Sequence, residues 1–307
     1  MLKFKAKHFL TGEELTKSEL LGLLDLAEQL RAERKNGHNR KDLEGKNMAL
    51  IFEKPSLRTR MSFAVAIQEL GANANELTSI VRKKEEPEDT VMVTAQYSHG
   101  IMVRTFDHSI VDRMAAKSPV PIINGLSDSH HPCQVLADLQ TLKQYFGKLE
   151  GLKLAYVGDG NNMLHSILLL MPFLGVHVTY ACPQGFEPNA FILKQAKARA
   201  KEGSGTITGF TDPVQAVKGA NAIYTDVWAS MGQESEESER EKVFEDFQVN
   251  EELYSHAADG ALVMHCMPMV RGKEISESMA DHKNAVLYRQ AENRLHAQKA
   301  LILGLMA

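Results

Sequence analysis

Residues 48–60 read Met-Ala-Leu-Ile-Phe-Glu-Lys-Pro-Ser-Leu-Arg-Thr-Arg. Positions 48–52 run without a polar interruption, the pattern of a strand covered on both faces. Pro55 stops the run, and a helical pattern follows over 60–70. A buried strand, a turn and a helix in this order open a βαβ unit and predict a parallel sheet. The pattern recurs. Strands are predicted at 101–104, 120–123, 154–157, 177–181, 222–225, 262–264 and 286–288. Helices are predicted at 89–97, 132–146, 163–174, 188–201 and 289–305. The fold class is therefore α/β with two domains, each a parallel β-sheet flanked by helices, with the C-terminal helix returning to the first domain. A polar stretch, Gly147-Lys-Leu-Glu-Gly151, separates a long helix from a new strand. It divides the chain into 1–147, joined by 289–307, and 148–288.

The chain has 307 residues, a length that suits two domains. Hydrophobic residues make up 44% and charged residues 24%, an ordinary globular balance. The net charge of −4, from 35 basic and 39 acidic residues, argues against a general nucleic-acid binder. No apolar run is long enough to predict a membrane span. The N-terminus lacks a long apolar stretch, and the three cysteines, Cys133, Cys182 and Cys266, are far apart and odd in number. These features predict a reducing, cytoplasmic compartment with neither a disulfide framework nor a cysteine zinc site. Two charge-dense segments, 82–89 and 233–242, read as solvated loops or as loops over a site.

Six segments carry possible chemistry, and all fall at strand-to-helix turns. Ser56, Arg58 and Thr59 sit at a helix N-terminus, where free N–H groups and charged donors suit a phosphate; Ser56 alone is equally an ordinary N-cap. Arg104 ends a buried strand, where open α/β sheets bind ligands, or where it forms a rim salt bridge. His131 and Gln134 share one helix face ahead of Pro132 and together can grip a carbonyl oxygen and an amide nitrogen. Gly158-Asp-Gly-Asn-Asn162 imitates a dinucleotide loop, but Met163 stands where a third glycine is needed. Asp226, with Ser230, Met231 and Gly232, places a carboxylate, a hydroxyl and a flexible loop together. His265-Cys-Met-Pro268 closes the set; Cys266 is a candidate nucleophile without an evident partner pair. One half supplies cations and an amide, the other a carboxylate. That division fits a cleft joining an anionic phosphate compound to an amino acid, with no metal spacing.

These residues resemble the aspartate/ornithine carbamoyltransferase family, and within it the ornithine branch, over about residues 9–303. Ser56-Leu-Arg-Thr-Arg60 is similar to the family's carbamoyl-phosphate signature, and His131-Pro-Cys-Gln134 to its His-Pro-x-Gln motif. Asp226 with Ser230-Met-Gly232 resembles the ornithine loop. His265-Cys-Met-Pro268 resembles a His-Cys-Leu-Pro segment with Met267 in place of Leu, and Glu292-Asn-Arg294 its final arginine. The resemblance implies that Ser56, Leu57, Arg58 and Thr59 bind the phosphate and that Arg104 bridges phosphate and carbonyl oxygen. His131 and Arg294 would meet the carbonyl oxygen, Gln134 would hold the carbamoyl amide, and main-chain groups of Cys266 and Met267 would orient it. Asn162, Asp226, Ser230 and Met231 would bind L-ornithine, with Cys266 beside Asp226 and the attacking amine.

The implied reaction transfers the carbamoyl group of carbamoyl phosphate to ornithine's δ-amine, giving citrulline and phosphate, without metal or organic cofactor, in a homotrimer. One departure stands out: Ile80 occupies the position of the family's loop glutamine, followed by Val81-Arg-Lys-Lys-Glu85. Arg82, Lys83 or Lys84 is expected to replace the missing contact to a neighbouring subunit. Other readings are a carbamoyltransferase for N-acylornithine or putrescine, a non-catalytic paralogue, and an NAD-dependent dehydrogenase.

Overall fold

The computed structural model describes residues 3–38, 40–78, 85–229 and 237–307. The first elements in chain order are α1 (Lys17–Lys35), β1 (Asn47–Phe52), α2 (Leu57–Glu69), β2 (Asn73–Thr78), α3 (Pro87–Thr94), β3 (Gly100–Arg104), α4 (His108–Lys117), β4 (Ile122–Leu126) and α5 (Pro132–Phe146). There follow β5 (Lys153–Val157), α6 (Asn162–Leu170), β6 (His177–Ala181), α7 (Ala190–Ala200), β7 (Ile207–Phe210), α8 (Pro213–Val217) and β8 (Ala222–Thr225). The chain ends with α9 (Glu237–Phe244), α10 (Glu251–Tyr254), β9 (Leu262–His265), α11 (Glu277–Ala280) and α12 (Leu287–Met306).

The chain forms two compact units, residues 1–140 with 291–307, and residues 141–290. The division falls inside α5, whose end immediately precedes the 147–151 turn. The first unit holds a four-stranded sheet in the order β2-β1-β3-β4, and the second a five-stranded sheet in the order β7-β6-β5-β8-β9. Every pairing within them is parallel. Central strands are buried on both faces, which explains their near-continuous apolar runs. The last helix places Ala297, Ala300, Leu301 and Ile302 in the buried interior.

The strand orders decide where ligands bind. In the first sheet the order reverses between β1 and β3, and in the second between β5 and β8. Crevices outside the carboxyl ends of such strands are the usual binding places of open α/β sheets. Those ends lead into the segments around Ser56, Arg104, Asp159 and Asp226.

Two expectations change. Residues 286–288 are not a strand: Ala285 makes only an isolated bridge with Val263, and Leu287 already begins α12. A short apolar run lacks the length that separates a strand from a buried helix start. In the opposite sense, β2, Asn-Ala-Asn-Glu-Leu-Thr, is a strand at a sheet edge with every residue exposed. Its polar sequence suits an edge and hides it from a hydrophobic pattern.

Candidate active site

In the first unit, Ser56 caps α2 by accepting from the Thr59 N–H at 3.2 Å. The cap leaves the other N–H groups of the first turn available to an anion. Leu57, the first residue of α2, is 72% exposed. The Thr59 hydroxyl is buried and accepts from two guanidinium groups, Arg294 Nη2 at 3.1 Å and Arg104 Nη1 at 3.3 Å. Arg294 Nη1 also donates to Gln134 Oε1 at 2.7 Å, and Gln134 Nε2 donates to the buried Asp138 Oδ1 at 2.9 Å. A buried network therefore runs Asp138–Gln134–Arg294–Thr59–Arg104 through α5, α12, α2 and the end of β3. Residues read from four separate segments converge, although they lie up to 235 positions apart.

His131 is buried beside this network. Burial, and then the positive charges of Arg294, Arg104 and Arg58, hold its pKa well below the ordinary imidazole range. The ring is therefore neutral at physiological pH, and one nitrogen can donate while the other accepts. A neutral donor beside three arginines suits a polarised carbonyl oxygen without adding a fourth positive charge. Cys133 is inert by contrast: burial pushes its thiol up to about 12, and its Sγ donates to the Asn124 carbonyl at 3.3 Å.

In the second unit, Asp226 follows β8 and is 6% exposed. Its Oδ1 accepts from Cys266 Sγ at 2.9 Å and from the Val227 N–H at 2.9 Å; its Oδ2 accepts from Asn161 Nδ2 at 2.8 Å. Asn161 is also the N-cap of α6, accepting from Met163 N at 2.9 Å and Leu164 N at 3.3 Å. One amide thus caps a helix with its oxygen and orients a carboxylate with its nitrogen. Asn162, the residue that sequence reasoning selected, is the first residue of α6, and its neighbour Asn161 makes the contact to Asp226 Oδ2. Ser230, Met231 and residues 80–84 lie outside the described residues; among the described ones, Cys266 and Asp226 are in direct contact.

The glycines of the 158–162 loop have structural reasons. Gly158 has φ +142°, and a Cβ on Gly160 would lie 2.4 Å from the backbone of Glu187 and Pro188. The imitation of a dinucleotide loop follows from turn geometry and close packing, with no third glycine needed. Within the same loop Asp159 pairs with Arg240 at 3.0 Å, and Arg240 also donates to the Trp228 carbonyl at 2.9 Å. Burial is the largest influence on Asp159 and lifts its pKa to about 6; Arg240 opposes the shift and the charge of Asp226 adds to it. Neither member of this pair was apparent from the sequence, because they are 81 positions apart.

His265 ends β9 and shares its carboxyl edge with Cys266. Met267 has φ +58°, a left-handed conformation that costs a residue with a Cβ on the order of 1–3 kcal/mol. Ligand atoms of Asp226, His265 and Cys266 lie within 4.8 Å of one another, the arrangement a metal ion could use. Both ring nitrogens of His265 are already engaged, with the Met267 N–H at 2.8 Å and with Glu274 Oε1 at 3.1 Å. A metal would have to break one of these buried contacts, so the residues do not fit a preformed metal centre.

The geometry has relatives. A family model described as aspartate/ornithine carbamoyltransferase, carbamoyl-P binding domain, matches residues 7–144. The companion model for the Asp/Orn binding domain matches residues 150–305. The chain belongs to the aspartate/ornithine carbamoyltransferase family. An ornithine carbamoyltransferase from Anoxybacillus flavithermus is 46% identical, covering 99% of this chain and 98% of that protein. Another from Thermococcus kodakarensis is 48% identical, over 96% of this chain and 94% of its own. The solved structure of the Pyrococcus furiosus ornithine carbamoyltransferase superposes with a TM-score of 0.95 at 44% identity, covering 98% of this chain and 97% of that one. The second family model runs through α12 to residue 305, whereas residues 291–307 fold with the first unit. Sequence continuity sets the first boundary and packing the second; packing puts Arg294 with the first unit. Among the described residues no helix is long and apolar enough to cross a membrane.

Proposed function

We propose that this member of the family transfers the carbamoyl group of carbamoyl phosphate to the δ-amine of L-ornithine, giving L-citrulline and phosphate. The observation that carries the reading is the buried network of Thr59, Arg104, Arg294 and Gln134 beside a neutral His131. It combines fixed cations with an uncharged carbonyl donor, which is what a carbamoyl phosphate requires. Residues 1–147 with 289–307 are the carbamoyl-phosphate domain, and 148–288 the ornithine domain.

In this scheme Ser56, the Leu57 N–H, Arg58 and Thr59 hold the phosphate, and Arg104 spans phosphate and carbonyl oxygen. Gln134, with main-chain groups of Cys266 and Met267, orients the carbamoyl amide. Asn162, Asp226, Ser230 and Met231 hold the α-amino and α-carboxyl groups of ornithine, and Asn161 fixes the Asp226 carboxylate. A free alkyl ammonium has a pKa near 10.4, so the δ-amine must lose a proton before it attacks. Desolvation among cations favours the neutral amine. The nitrogen attacks the carbamoyl carbon, and the oxyanion that develops is met by Arg104, His131 and Arg294. Collapse expels phosphate, whose charge stays on Arg58 and the α2 terminus. The departing phosphate takes the proton released by the new C–N bond. Holding both substrates in attacking geometry contributes up to roughly 7–11 kcal/mol in the best cases.

The protein is further proposed to act in the cytoplasm as a homotrimer, with the Arg82–Glu85 loop completing a neighbour's phosphate site. Lys83→Ala with Lys84→Ala is then expected to raise the KM for carbamoyl phosphate; an unchanged KM removes that loop from the site. The test of the function is a citrulline assay with carbamoyl phosphate and a panel of ornithine, N-acetylornithine and putrescine. Product with ornithine alone supports the proposal. Product only with another amine, or with none, overturns it.

A further inference from the structure

Glu274 is nearly fully buried and belongs to neither of the substrate sets proposed above. Its Oε1 accepts from His265 Nε2 at 3.1 Å and from the Val270 N–H at 2.5 Å. On the other side of the ring, His265 Nδ1 faces the Met267 N–H at 2.8 Å. The His265 N–H is itself held by Gln290 Oε1 at 2.9 Å. A backbone N–H can only donate, so Nδ1 must be the acceptor. A neutral imidazole then carries its proton on Nε2, directed at a carboxylate that can only accept. The arrangement is consistent in one tautomer only. The alternative tautomer, and the doubly protonated ring, would set N–H against N–H at Met267.

We propose that Glu274 is a positioning residue for carbamoyl transfer: acting through His265, it fixes the peptide between Cys266 and Met267 that faces the reacting amide. This rests on the carbamoyl-transfer reading, which places that peptide at the amide. The physical link is short. Met267 occupies the left-handed region without being glycine, so something must hold it there. The acceptor nitrogen of His265 does so, and Glu274 keeps that nitrogen an acceptor. The same turn carries Cys266, whose Sγ donates to Asp226 Oδ1 at 2.9 Å. Control of a ring tautomer by a buried carboxylate is familiar where the ring performs chemistry; here the ring orients main chain instead.

The test compares wild type, Glu274→Leu and Glu274→Gln. Leucine removes the acceptor and frees the ring to exchange tautomers. Glutamine keeps an oxygen able to accept from both Nε2 and Val270. Glu274→Leu is expected to lower kcat by about 10–100-fold, the usual size of an orienting-partner effect. The KM for carbamoyl phosphate should stay within about threefold, because the phosphate grip lies on α2. Glu274→Gln is expected to recover most of kcat. In ¹⁵N-histidine-labelled wild type, His265 should show its proton on Nε2. Unchanged kcat in Glu274→Leu, equal losses in both variants, or a proton on Nδ1 in wild type would each overturn the proposal. If Glu274→Leu does not fold, Glu274→Gln and the imidazole spectrum decide. The spectrum needs no substrate, so it separates failure of this inference from failure of the carbamoyl-transfer reading, which wild-type citrulline formation tests alone.

Discussion

Replacing Arg294 with methionine removes a guanidinium and keeps an apolar stem of similar length. Arg294 is 2% exposed and spends two donors on Gln134 Oε1 and Thr59 Oγ1, at 2.7 and 3.1 Å. Orphaning those acceptors costs about 1–3 kcal/mol in stability. Removing a buried charge relieves a desolvation cost of comparable size. The two nearly offset, so the net change in stability stays within about 2 kcal/mol, less than roughly 8 °C in melting temperature for a unit of this size. Activity responds differently, because a donor preorganised toward an oxyanion has no substitute in methionine. Losing one such donor lowers kcat by about 10²–10³-fold. Gln134 also loses its anchor, which adds to the loss at the carbamoyl amide. The phosphate keeps Ser56, Arg58 and Thr59, so KM for carbamoyl phosphate should rise less than about tenfold. Steady-state citrulline formation with both substrates varied, beside a thermal melt, reads all three quantities. A folded Arg294→Met enzyme whose kcat lies within tenfold of wild type would refute the assignment of Arg294 to the developing oxyanion.

Three further outcomes follow from the same geometry. Asp226→Asn should raise the KM for ornithine by roughly 10–100-fold, the worth of one hydrogen bond to a charged group, and leave carbamoyl-phosphate binding by calorimetry unaltered; an unchanged ornithine KM would contradict it. Arg240→Leu leaves Asp159 buried beside no cation and should cost about 3–5 kcal/mol in urea unfolding, with Asp159→Asn in the same chain restoring much of the loss; a stability equal to wild type would contradict the pairing. Acid should destabilise the first unit. His131 is held well below its ordinary pKa, and burial lowers both His296 and His8 to about 4. Their unfolded forms take up protons near pH 6.5, so stability is full above that value and falls as the pH drops toward 4. His296 alone accounts for on the order of 3 kcal/mol. Asp159 acts in the opposite sense in the second unit: its pKa is raised to about 6, so its contribution is lost as the pH rises through 6. Denaturant midpoints at pH 7 and pH 5, read by probes in each unit, should show the first unit weakening more.

The parts of this fold that were legible in the sequence are those where one residue pattern meets one physical demand. The run at 48–52 is apolar because β1 is central and covered on both faces. The turn residues after it are polar because they sit at a sheet's carboxyl edge. Ser56, His131 and Gln134 could be named from short motifs and Arg104 from its place at the end of a buried strand, whereas Arg294 was reached only through the family resemblance. The exposed β2 could not be found from hydrophobicity, since an edge strand at the surface has no apolar face to show. Residues 286–288 misled because a few apolar residues serve a strand and a helix start equally. Asn161 was not singled out because an asparagine that caps a helix and also orients a carboxylate reads in sequence as an ordinary N-cap. Asp159 with Arg240, and His265 with Glu274, are pairings made by the fold; each partner alone reads as an ordinary polar residue.

The most direct measurement of the central claim is a crystal structure with a phosphonoacetyl-ornithine conjugate, which joins mimics of both substrates in one molecule. The phosphonate should lie on Ser56, Arg58 and Thr59, the carbonyl oxygen on Arg104, His131 and Arg294, and the amino-acid end on Asp226. A conjugate whose phosphonate lies away from the start of α2, or whose amino-acid end does not reach Asp226, would contradict it.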